Sequence, residues 1–109
     1  MNNYFEKAEK ALDYLAESED EFSRMKAMHQ AEKKRMDIVL ASLIIESPES
    51  SQTAKKSWAE AHTDYSKALN LWEDAMTRYY EIDAKRERAC LTIEMYRSWN
   101  SQQKKGLMT

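Results

Sequence analysis

A single glycine and a single proline serve a chain of 109 residues. An average domain carries about 7% Gly and 5% Pro. Sheets are built with turns, and tight turns draw on Gly, Pro and Asn. The scarcity therefore excludes all-β and α/β folds and points to an all-α chain. It also removes glycine-rich phosphate loops and nucleophile elbows, which need glycine where the backbone approaches a ligand or bends sharply.

The two rare residues sit where helices would stop. Pro48 lies in Ser47-Pro48-Glu49-Ser50-Ser51, the one interior cluster of turn-forming residues. Ser47 can cap a helix, Pro48 suits a first helical position, and Glu49 favours the positive end of the dipole. Gly106 follows Lys104 and Lys105, and a cationic last turn followed by glycine is a stop signal. The expectation is one domain of two long helices, about 3–46 and about 50–105, with a bend at about 47–52 and a short tail at 106–109.

The periodicity says how two such helices would pack. Alternating steps of three and four through the first half visit Tyr4, Ala8, Ala11, Leu15, Ser18, Phe22, Met25, His29, Glu32, Met36, Val39 and Leu43, nine of twelve apolar or aromatic. In the second half, steps of seven visit Trp58, Tyr65, Trp72, Tyr79, Arg86, Ile93 and Asn100. Three residues beyond each lie Ala61, Ala68, Ala75, Ile82, Ala89, Tyr96 and Gln103. This rhythm predicts a coiled-coil seam, and a short loop makes the two helices antiparallel neighbours. Folding near residue 50 pairs positions whose numbers sum to about 101, so that His29 meets Trp72 and Leu15 meets Arg86.

A two-helix hairpin buries one stripe per helix, a thin core for this length. Apolar residues off the stripe gather at two places: Phe5 and Leu12 with Leu91, Met95 and Trp99, and Ile38, Ile44 and Ile45 near the bend. Exposed patches of this kind mark interfaces. These eight residues are the expected oligomer contacts, and the fold becomes an antiparallel coiled-coil hairpin that assembles into a helical bundle.

Catalytic and metal chemistry find little support. His29 and Glu32 share a face inside the stripe, but metal-binding bundles need a fuller ligand set; a polar layer that fixes register is the better reading. His62 has Glu60 and Asp64 off its face. Cys90, the one cysteine, sits beside Arg88, which could activate a thiol, yet lacks a histidine partner and suits an ordinary buried helix position. Carboxylates have no focus, and two helices offer no cleft for paired acids. The chain reads as non-enzymatic, with no cofactor.

Charge separates the ends. Net charge is -2 overall, but residues 1–20 carry -4, and residues 81–109 carry +2. Lys85, Arg88, Arg97, Lys104 and Lys105, with Tyr96 and Trp99 nearby, supply the residue types that grip phosphates and stack bases. The competing reading is a solvated face balanced by Glu81, Glu87 and Glu94. The opening residues are no secretory signal, and the longest apolar stretch, around residues 38–45, is too short to span a bilayer. A lone cysteine suits a reducing compartment.

The stretch KRERACLTIEMYRSWNSQQKKG, residues 85–106, together with YFEKAEKALDYLAESEDEFSRMKA, residues 4–27, resembles small helical proteins of temperate phages and prophages. The shared pattern falls on Lys85-Arg86, Ala89, Thr92-Ile93-Glu94, Tyr96, Arg97 and Gly106. It covers both ends of the chain but not the bend. The resemblance implies an accessory role in the cytoplasm of a bacterial host and brings no catalytic motif. Some members accompany recombination and single-strand-binding functions. The expected function is thus a non-catalytic accessory that binds itself and another protein. The alternative is a nucleic-acid-binding accessory of phage recombination or replication. Secreted helical hairpins of similar length carry a Trp-x-Gly turn, and here the residues are Ser57-Trp58-Ala59.

Overall fold

The computed structural model describes residues 3–108, with side chains as far as Gly106. The described residues form no strand. Three helices follow in order, α1 (Asn3–Glu46), α2 (Gln52–Glu60) and α3 (Thr63–Met108). The two long helices pack together, as the period of their apolar residues requires.

The first expected boundary matches Glu46, where α1 ends. The bend differs in its chemistry. Ser51, not Ser47, caps the next helix, its side chain accepting from the Ala54 N–H at 3.1 Å. The Ser47 hydroxyl instead accepts from the Glu49 N–H at 3.2 Å. This local bond holds residues 47–49 in a turn, so helix begins at residue 52.

The expected single helix over about 50–105 is a correction, because it is two helices. Ala61 closes α2 with its N–H bonded back to Ser57 O. His62 then opens α3: its carbonyl accepts from the Ser66 N–H, and its Nδ1 accepts from the Asp64 N–H at 3.0 Å. An imidazole nitrogen thereby does the work usually given to a serine or aspartate oxygen. The Trp58 ring lies 5.4 Å from the His62 ring, across the junction. Changing His62 to Ala is expected to cost about 1 kcal/mol, the usual worth of a cap, with His62→Asn recovering most of it in urea unfolding.

The tail is a second correction. Gly106 does not stop the helix: α3 continues to Met108, and no glycine has positive φ. A glycine stop works through the left-handed conformation. Here Gly106 stays in the helical region, where its cost of about 1 kcal/mol relative to Ala does not outweigh the turns already formed. Thr109 lies outside the described residues.

Contacts divide the chain into two compact units, one joining the residues up to Ser23 with those from Tyr80 onward, the other Arg24–Tyr79. In the first, Ala8, Ala11, Ser18 and Ala89 are buried. Tyr4 stacks on Trp99 at 5.6 Å, Phe5 meets Tyr96 edge-on at 5.9 Å, and Leu15 accepts from Arg86. Partner numbers in α3 fall as those in α1 rise. In the second unit, Met36, Leu43, Ala59, Ala68 and Ala75 are buried. His29 stacks on both Trp72 and Tyr79, at 6.2 and 5.5 Å.

Six of the buried residues are alanines. Small side chains let helix backbones approach closely, and larger neighbours then lie across the contact instead of between the axes. That explains why Trp58, Tyr65, Trp72 and Tyr79, all on the stripe, remain half-buried. Among the described residues no large side chain is fully enclosed.

Candidate interaction surfaces

The best-tied polar side chain is Arg86, at the stripe position opposite Leu15. Its Nη1 donates to Leu15 O at 2.9 Å and to Ser18 Oγ at 2.7 Å, and its Nη2 donates to Glu19 Oε2 at 2.7 Å. The guanidinium carbon stands 4.8 Å from the Phe22 ring centre. The fork thus reads one backbone carbonyl, one buried hydroxyl and one carboxylate on α1. It is a register pin within the first unit, withdrawn from contact with outside ligands.

His29 and Glu32 lie in the second unit with different surroundings. Glu32 Oε1 accepts from Arg35 at 3.0 Å, whereas Glu32 Oε2 and Trp72 Nε1 are buried without a hydrogen-bond partner. The polar layer expected from the sequence is therefore only partly satisfied, and the His29 ring stacks between Trp72 and Tyr79. No group of three or more His, Cys, Asp or Glu side chains converges among the described residues. Cys90 is exposed, which corrects its expected burial; it follows Ala89, the stripe residue, by one step of about 100° around the helix.

Most expected contact residues are exposed: Phe5, Leu12, Ile38, Ile45, Leu91 and Met95 all present large apolar side chains to solvent. Ile44 and Trp99 are corrected to half-buried, Trp99 because it stacks on Tyr4. The expected terminal cluster also divides. Met95 and Trp99 border a groove with Tyr4, while Leu12 borders another with Cys90, Glu94 and Arg97. Leu91 lines a third, beside Leu15 and Arg86. Leu91, Met95 and Trp99 stay within about 80° of arc on α3, so they divide along its length, with Leu91 beside Leu15 and Met95 and Trp99 beside Tyr4.

The basic residues separate around the helix instead. Lys85, Arg88, Arg97, Lys104 and Lys105 are all exposed. Twelve residues at about 100° each leave Arg97 about 120° around α3 from Lys85. Lys85 and Arg88 therefore share one side, and Arg97 and Lys104 another. A single phosphate track along α3 would engage one set or the other.

The second unit holds a surface the sequence reading did not assemble. Two grooves meet at Leu71. One is lined by Arg35, Ile38, Ser42, Asp64 and Lys67, the other by Met28, Asp74 and Arg78, and Leu71 lines both. Leu71 and Met28 are exposed, at 51% and 41%. Leu71 stood apart from the stripe in the sequence, but only the position of α1 shows that Ile38 and Met28 lie on the same side. No helix among the described residues is long and apolar enough to cross a membrane. No family model, no curated protein and no solved structure matches this chain.

Proposed function

We propose that this chain is a non-catalytic accessory protein that works by self-association and by gripping another protein, with its long helices forming an antiparallel coiled-coil hairpin. One observation carries the reading: among the described residues no large side chain is fully enclosed, while ten large apolar or aromatic side chains stand exposed. A fold that leaves so much apolar surface in water has more to gain from a partner than from its own interior. Falling partner numbers along α1 within the first unit support the antiparallel hairpin. The resemblance of residues 4–27 and 85–106 to phage-encoded helical proteins supplies the accessory role and the bacterial cytoplasm as its setting.

Sedimentation or light scattering at micromolar concentration tests the reading. The expected mass is at least twice the 12.9 kDa of one chain; a mass of one chain across that range overturns self-association. The nucleic-acid alternative is disfavoured by the split of the basic residues over two sides of α3 and by the use of Arg86 within the fold.

A further inference from the structure

We infer that two copies of this chain dock through the Leu71 face of the second unit, with their α3 helices crossing antiparallel about a two-fold axis at Leu71. This rests on the self-association proposed above and names its surface and geometry.

On α3 the face consists of Asp64, Lys67, Leu71, Asp74 and Arg78. At about 100° per residue these five fall within about 80° of arc, so they form one narrow stripe. Its charges read minus, plus, neutral, minus, plus. A two-fold axis through Leu71 reverses the stripe and sets it on itself. Asp64 and Arg78 are each seven residues from Leu71, about 10.5 Å along the axis. Asp64 of one copy therefore lies opposite Arg78 of the other, and the reverse. Lys67 and Asp74, four and three residues from Leu71, come opposite with an offset of about 1.5 Å. Each of the four charges on the α3 stripe meets its opposite, and each contact occurs twice by symmetry; Glu46 of α1, which also lines the groove, lies outside this stripe.

The centre is apolar, as a self-complementary patch needs. Leu71 meets its own copy, flanked on α1 by exposed Ile38 and Met28. Arg35, which lines the same groove, brings no net charge there, because Glu32 pairs with it at 3.0 Å within the chain. A parallel pairing in register would set Asp64 on Asp64 and Arg78 on Arg78, and like-charge juxtaposition across an interface is costly. The charge order thus selects the antiparallel arrangement as well as permitting it.

The experiment combines a charge swap with a cross-link. Lys67→Glu and Asp74→Lys each place like charges opposite one another twice. Each is expected to weaken self-association about tenfold or more at low salt. The double variant Lys67→Glu, Asp74→Lys restores opposite charges and is expected to recover wild-type association. All four proteins should keep the same helical circular dichroism, since both side chains are exposed. In a Cys90→Ser background, Leu71→Cys is expected to give a disulfide-linked dimer on mild oxidation. If the wild type is a single chain, the self-association reading fails and this proposal with it. If the wild type associates but the single variants do not weaken it, or the double variant does not recover it, or Leu71→Cys stays monomeric, the docking face is wrong and self-association stands through another surface.

Discussion

Leu43→Ala is expected to destabilise the protein by about 2–4 kcal/mol, the range for truncating a buried leucine whose surroundings collapse only partly. Leu43 is 4% exposed and sits one turn before the end of α1. The buried residues of the second unit are mostly small, and Ala68 lines the same groove as Leu43. Alanines cannot move in to fill a lost isobutyl group. Domains are stable by roughly 5–15 kcal/mol in total, so this one truncation removes a large share. Urea unfolding followed by circular dichroism reads the change as a lower midpoint at unchanged slope. Ile45→Ala, two residues on, removes a similar volume from a side chain that is 82% exposed, and a change within about 0.5 kcal/mol is expected at concentrations too low for assembly. Equal losses at the two positions would show that burial along α1 is assigned to the wrong side.

Arg86 supplies the second large effect. Arg86→Ala leaves the buried Ser18 hydroxyl, 6% exposed, without its donor and uncovers the Phe22 ring. The expected cost is about 1–3 kcal/mol, set by the orphaned hydroxyl and the lost packing of the arginine stem. The Glu19 arm contributes little, because that carboxylate is 62% exposed and screened by water. Arg86→Leu returns an apolar residue to the stripe but still strands Ser18. Removing both polar partners in Arg86→Leu, Ser18→Ala is expected to recover the wild-type midpoint or exceed it, since replacing a buried polar pair by apolar groups is often neutral or stabilising. A double variant as unstable as Arg86→Ala would show that the guanidinium does more than satisfy Ser18.

These two sites show what the sequence made legible. Leu43 and Arg86 lie on the seven-residue rhythm, and the rhythm placed both on the packed side. Periodic burial is written repeatedly along a helix, so single exceptions do not hide it. The end of α1 was legible because a proline and three serines mark the residues just past Glu46. The break at Ala61–His62 was not legible. Trp58 and Tyr65 keep the period on either side, and histidine is not among the residues that usually signal a cap. Gly106 misled for the opposite reason: the signal was present, but a glycine stops a helix only when its backbone turns left-handed. The Leu71 face escaped because it joins two helices far apart in sequence. Neither helix alone shows that Met28 and Ile38 flank Leu71, and the charge order around Leu71 has meaning only once the five residues share one side.

The alanine-lined core has a consequence for how this chain tolerates change. In an ordinary core, the damaging substitution is the one that removes atoms. Here Ala59 has no exposure, and Ala8, Ala11, Ala68, Ala75 and Ala89 are nearly as enclosed. There is little volume at these places to lose and no room to add any. Growth by even a few methylenes would push the backbones apart, and overpacking of that kind costs about 1–3 kcal/mol or more. Drift in such a chain is held in check by a ceiling on side-chain size. A valine or leucine at any of the six, welcome in most interiors, acts here as a wedge.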